Sequence, residues 1–264
     1  MIVSLEAVPR NPESLAAAAD TALRFRQIGL INIPDLLRFS LRSWEACALL
    51  RDRLNPAVEL LPHIRAMDFD PAAPFPHAAY FRSLGIRKVL VIAGDPPAGD
   101  PPAGAPPQGK AEPLTASGRR PPPPKTPAFI RKLKAEMPEL EIFAAFDPYR
   151  TNIRYELDYL AAKEAAGAAG FMSQPFFDLR LLEIYAEYLE GKNVFWGVSP
   201  VLSESGRGYW ESRNRAIFPR SFRPTLAWNL DFGRQVLRFC ESGRFNLYLM
   251  PIKIDLAPYL AGLF

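Results

Sequence analysis

Five polar side chains stand where short apolar runs of this chain end. Glu6 follows Ile2–Leu5, Asn32 closes Leu30-Ile31, His63 follows Leu60-Leu61-Pro62, Asp95 follows Val89–Gly94, and Gln174 ends Gly170–Ser173. Alternation along an extended segment puts Ser4 and Glu6 on one face. A carboxylate on an otherwise apolar strand is costly to bury without a partner, and burial raises its pKa towards general-acid range. Local sequence leaves a second reading of Glu6 equally open: a strand-end ion pair with Arg10 or Arg42. Asp95 lies in Val91-Ile-Ala-Gly-Asp-Pro-Pro97, where Gly94 lets a ligand approach the backbone and the two prolines stiffen the exit. The competing reading is a turn aspartate bonded to its own backbone.

The other candidates are also two-sided. A lone histidine such as His63 is more often a structural hydrogen-bonding residue than a catalytic one. Gln174, in Met172-Ser-Gln-Pro-Phe-Phe-Asp178, offers an amide that suits the edge of a heterocycle or caps a loop. Lys163 falls on a helical stretch, where a solvated face is the simpler reading, and Asn32 is similarly open.

The elements that must position these residues follow from periodicity. Strands are predicted at Ile2–Ala7, Leu30–Ile33, Glu59–Ile64, Lys88–Ile92, Glu141–Ala145, Gly170–Gln174, Asn193–Gly197 and Phe245–Met250. Helical patterns fill the gaps. Asp178–Glu190 places Leu181, Leu182, Tyr185, Tyr188 and Leu189 on one face, and Leu226, Leu230, Gly233, Val236, Leu237 and Cys240 form a second stripe. Asn11 before Pro12 is a good helix start. The apolar Leu256–Phe264 would close the barrel bottom or dock on a partner. Eight strands alternating with helices imply a parallel sheet with right-handed crossovers, as a closed (β/α)8 barrel or an open doubly wound sheet. No GxGxxG follows the first strand, which argues against the open dinucleotide-binding form. The length of 264 residues suits one barrel domain spanning 1–264. Pro96–Pro127 can be neither helix nor central strand, and is read as a Pro-rich loop after the fourth strand: a solvated linker, or a lid whose Arg119-Arg120 could meet cofactor phosphates.

Composition narrows the class. A formal charge of +4 without a dense Lys/Arg block favours anionic ligands and argues against a nucleic-acid surface. Two cysteines, Cys47 and Cys240, sit in apolar helical contexts and read as free thiols in a reducing cytoplasm. No Cys/His cluster has metal-ligand spacing, so no metal is expected. Nothing approaches the roughly 18 unbroken apolar residues of a membrane span.

Taken together, these segments resemble the methylenetetrahydrofolate reductase family. Ser4-Leu-Glu-Ala-Val-Pro-Arg10 is similar to its S-F-E-F-F-P-P, Pro62-His63 to its P-H, Ile92-Ala-Gly-Asp-Pro-Pro97 to its R/T-G-D-x-P, Lys163-Glu-Ala-Ala-Gly-Ala168 to its K-V-D-A-G-A, and Ser173–Asp178 to its T-Q-x-F-F-D. Asn32-Ile-Pro-Asp35 with Arg42-Ser43 resembles the branch fused to homocysteine methyltransferases. The resemblance implies a (β/α)8 barrel that uses FAD and NAD(P)H to reduce 5,10-methylenetetrahydrofolate to 5-methyltetrahydrofolate. Glu6 would then be the general acid, Asp95 would steady the cationic intermediate, and Gln174 would bind the folate. Asn32, His63, Gly94, Asp95, Ala145, Phe146, Arg150, Glu156 and Lys163 would form the cofactor site. The resemblance leaves room for a companion subunit or a homo-oligomer without requiring either.

Several positions depart from that pattern. Ala93 replaces an Arg, Phe146 a Tyr, Arg150 a His and Glu156 an Asp; Pro175 and Ser199-Pro200 also differ. Arg150 and Lys163 could compensate for lost phosphate contacts. Two rival readings accompany the first: a folate-binding or methyl-transfer partner that has lost tight flavin binding, and a barrel enzyme acting on another substrate.

Overall fold

The computed structural model describes residues 1–94 and 125–264. Its eight strands are β1 (Val3–Glu6), β2 (Ile28–Ile33), β3 (Glu59–Arg65), β4 (Lys88–Ile92), β5 (Glu141–Phe146), β6 (Gly170–Pro175), β7 (Val194–Val198) and β8 (Asn246–Leu249). All pair in parallel, in sequence order, and β8 returns to β1. The closed alternative is therefore the one adopted.

Among the described residues the helices are α1 (Pro12–Ala22), α2 (Ser43–Arg51), α3 (Ala78–Ser83), α4 (Lys125–Glu136), α5 (Ile153–Ala165), α6 (Leu179–Tyr188), α7 (Glu204–Asn214), α8 (Leu226–Gly243) and α9 (Leu256–Leu263). Asn11 caps α1 as expected, its Oδ1 accepting from Ser14 N at 2.8 Å. In α6 the stripe is narrower than predicted. Leu182 and Tyr185 are buried, whereas Tyr188, at the stripe's edge, is 61% exposed. Most of the expected Pro96–Pro127 segment lies outside the described residues, but its last part does not. There α4 already begins at Lys125, and Pro127 falls in its first turn, where the missing N–H has no intrahelical partner to lose.

Strand alternation builds two cores. Outward residues such as Ile142, Ala144, Phe146 and Trp196 pack against the helices. Inward residues Leu30, Leu61, Leu90, Phe143, Met172, Phe195, Tyr248 and Met250 fill the barrel, so its interior is a plug rather than a pore. At the strands' amino ends, Lys88 closes the plug by pairing with Glu141 and with Glu59 at 3.4 Å. Everything polar above the plug therefore faces the carboxyl-end mouth.

The sheet leaves no room where β6 begins. A Cβ on Gly170 would overlap the Asn193 carbonyl oxygen and come within 2.9 Å of Phe143 Cε1. Gly170→Ala is expected to lower unfolding stability by about 2 kcal/mol, read from urea denaturation, because backbone on one side cannot yield.

Candidate active site

The mouth is built from β1 outward. Glu6 lies in register with Asn32 of β2, and Ser4 with Tyr248 of β8. The Tyr248 hydroxyl donates to Glu6 Oε2. Glu6 is only half-buried by area, yet the atoms crowding its carboxyl strip enough water to push its pKa up to about 7, against the opposing pull of the Tyr248 hydrogen bond. Desolvation and the Glu6 charge together hold the Tyr248 phenol well above its usual range. Glu6 has no ion pair among the described residues. Of the two arginines read as its partners, Arg42 binds Asp35 and Asp68 instead, and Arg10 is exposed.

A second polar chain crosses the neighbouring strands. Asn32 Nδ2 donates to Ser4 Oγ at 2.7 Å, and Asn32 Oδ1 faces His63 Nε2 at 3.0 Å. All three residues are buried. Desolvation drives the His63 pKa down to about 3, so the imidazole is neutral at physiological pH. Ser43 Oγ donates to the His63 carbonyl at 2.5 Å and ties α2 to this strand.

Beside it runs a ladder of charges that the sequence reading did not assemble. Arg42 forks onto Asp35, with Nε–Oδ1 at 2.9 Å and Nη2–Oδ2 at 2.6 Å, and reaches Asp68 at 3.1 Å. Arg65 Nε donates to the same Asp68 at 3.1 Å. Arg65 follows His63 by two residues, so strand alternation alone could have placed it on the inner face. Tyr248 was missed for a different reason: its partner is 242 residues away.

The far wall comes from β5 and α5. Lys163 is not on a solvated face: it is buried, donates to the Ala145 carbonyl at 2.7 Å and lies 3.8 Å from Glu156 Oε1. Desolvation lowers its pKa to about 8 despite Glu156. Burial raises both Glu156 and Asp147, with Lys163 opposing in each case. Arg150 is exposed and 3.6 Å from Asp147. Phe146 points away from the mouth, into the layer beneath the helices, against Tyr185 and Trp196. Gln174, next to last in β6, is exposed, in the stretch where the β6–β7 register shifts. Gly94 has φ +89°, a backbone conformation that L side chains rarely adopt, so the turn itself calls for a glycine. Asp95 lies outside the described residues. Asn32, His63 and Glu6 are thus brought together, while Ala145, Glu156, Lys163 and Arg150 form a separate cluster.

Among the described residues no group of three or more His, Cys, Asp or Glu side chains could hold a metal ion. No helix there is long and apolar enough to cross a membrane. Cys47 and Cys240 are free and buried.

Neither a family model nor a curated protein matches the chain. Solved structures do. One is 2,3-dimethylmalate lyase, a PEP mutase/isocitrate lyase superfamily member, at 10% identity and TM-score 0.54, covering 99% of this chain and 78% of that one. Another is oxaloacetate acetylhydrolase with the inhibitor 3,3-difluorooxalacetate, at 10% identity and TM-score 0.59, covering 98% and 78%. At such identity the likeness shows the barrel fold.

These neighbours correct the family reading. They are a lyase and an acetylhydrolase, not methylenetetrahydrofolate reductases. Flavin-dependent folate reduction, FAD, NAD(P)H and the folate-binding alternative are withdrawn with that reading. The physical reason is that the shared motifs are short pieces, most of them where a strand or helix ends and the chain must turn, which favours Gly, Pro and Asp in any barrel. The groups assigned to FAD are also engaged with one another: Asn32 with His63, and Lys163 with Ala145 and Glu156.

The Glu6 environment makes a signed prediction. Its folded pKa stands above the ordinary 4.5, so the native state holds the proton longer, and this group's contribution to stability is lost as pH rises towards about 7. Tyr248→Phe removes the one hydrogen bond that favours the carboxylate. A ¹³C NMR titration of Glu6 is expected to show its midpoint moved still higher in that variant.

Proposed function

We propose that this chain is an acid–base enzyme that cleaves a carbon–carbon bond in a small hydroxy- or oxodicarboxylate held at the carboxyl-end mouth of the barrel. The observation that carries the reading is the Glu6 carboxyl, which faces the mouth, is tied to Tyr248 and is poised near neutrality. An acid with a pKa near the working pH is well matched to proton transfer. The substrate class draws on the neighbours' names, a dimethylmalate lyase and an oxaloacetate acetylhydrolase, and on the net charge of +4, which suits a dianion.

The chemistry asks for little machinery. The substrate hydroxyl, or the hydroxyl of a hydrated ketone, loses its proton to water. Its electrons form a carbonyl, the adjacent carbon–carbon bond breaks, and the electron pair stays on the carbon next to a carboxylate. Glu6 supplies the proton that this carbon needs and later regains one from water. In between, the Tyr248 hydrogen bond steadies the Glu6 carboxylate. The apolar plug beneath keeps water from entering from below.

The test is direct. Malate, citramalate and oxaloacetate, in each of which the carbon that keeps the electron pair is bonded to a carboxylate, are incubated with the protein and the products followed by ¹H NMR. Cleavage of at least one is expected. It should fall about 10²–10⁴-fold in Glu6→Gln, and in the wild type it should decline as pH rises through about 7, where Glu6 ionises. No product from any of them, or a Glu6→Gln variant as active as the wild type, would sink the reading.

A further inference from the structure

The two polar chains divide the mouth by hydrogen-bond type. Asn32 gives its amide N–H to Ser4 Oγ, so its carbonyl oxygen is the atom that meets His63 Nε2. That contact is a hydrogen bond only if Nε2 carries the proton, which leaves Nδ1 as a lone-pair acceptor. Nδ1 has no partner among the described residues. Trp196 Nε1, on the outer side of β7, is the fully sealed side-chain nitrogen without a partner among those residues; His63 is 5% exposed and lies two residues before the carboxyl end of β3, towards the mouth. Glu6, in its protonated form, offers the complement. One oxygen accepts from Tyr248, leaving the carboxyl O–H to donate.

We infer that His63 is a specificity-determining residue, presenting an acceptor that selects a substrate hydroxyl over a keto oxygen. The inference rests on the dicarboxylate reading above and sharpens it from hydroxy- or oxo-acid to hydroxy-acid. A hydroxyl can both donate to His63 and accept from Glu6, whereas a keto oxygen can only accept and would leave Nδ1 unpaired. Only Asn32 separates the two groups across the sheet, and neighbouring strands stand about 4.8 Å apart, so one small molecule over Asn32 spans both.

Two measurements on the whole protein test this. The chain has two histidines, and His77→Gln assigns their ¹⁵N signals. Long-range ¹H–¹⁵N spectra should show His63 as the neutral Nε2–H form down to about pH 5. Titration with 2-hydroxyglutarate and with 2-oxoglutarate, which differ only at that oxygen, should favour the hydroxy acid by about tenfold, the worth of one neutral hydrogen bond. His63→Phe should erase the difference. An Nδ1–H tautomer, protonation of His63 near pH 6, or equal binding of the two acids overturns the inference while leaving the Glu6 chemistry in place. Binding of neither acid by a protein whose His63 is in the Nε2–H form overturns the dicarboxylate reading, and the selectivity falls with it.

Discussion

A carboxyl group crowded out of water at the inner end of β1 is the constraint around which the mouth is organised. Ionised and unpaired, such a group would be very costly. The fold offers it a phenol instead of a cation, and so keeps it near the balance point between its acid and its base. That phenol comes from β8, so the same seam that closes the barrel by backbone pairing also completes the acid. An open sheet of the same strands would leave Glu6 solvated and ordinary.

The rest of the mouth follows from what a closed barrel does to polar residues. Inward side chains cannot reach bulk water from below, because the plug of Leu30, Leu61, Leu90, Phe143 and Met172 fills the interior. Polar groups above it must therefore satisfy one another. Ser4, Asn32 and His63 do so as a neutral chain, and Asp35, Arg42, Asp68 and Arg65 do so as a charged one. Beyond β3 the inner face changes character, with Ile92, Ala145 and Met250 packed on the plug.

The contrast between motif and fold is instructive. Gly94 has a positive φ of +89°, which calls for a glycine whether or not a ligand approaches it. Lys163 looked like a surface lysine, but it folds back to the Ala145 carbonyl. Phe146 was placed in a cofactor site and instead packs under α6. Lys163 and Phe146 are placed by contacts between separate elements, which no local motif contains. A short motif states which residue ends a strand, and barrels of many chemistries end their strands with the same turn-forming types.

The alternation of strands with helices was legible in the residues alone. Short apolar runs, most of them followed by a turn-forming residue, marked β4 at Lys88–Ile92 to the residue, and the amphipathic helices between them implied parallel pairing. The sequence also determined that Ser4 and Glu6, and likewise Asn32 and His63, stand near strand ends, because alternation is a local property of the backbone. Only the tertiary structure decided closure over an open sheet, the joining of Glu6 to Tyr248, the capture of Arg42 by Asp35 and Asp68, and the burial of Lys163. Those outcomes depend on contacts between residues far apart in the chain and on how much water each group loses when the barrel closes. Neither quantity is written in any local stretch of residues.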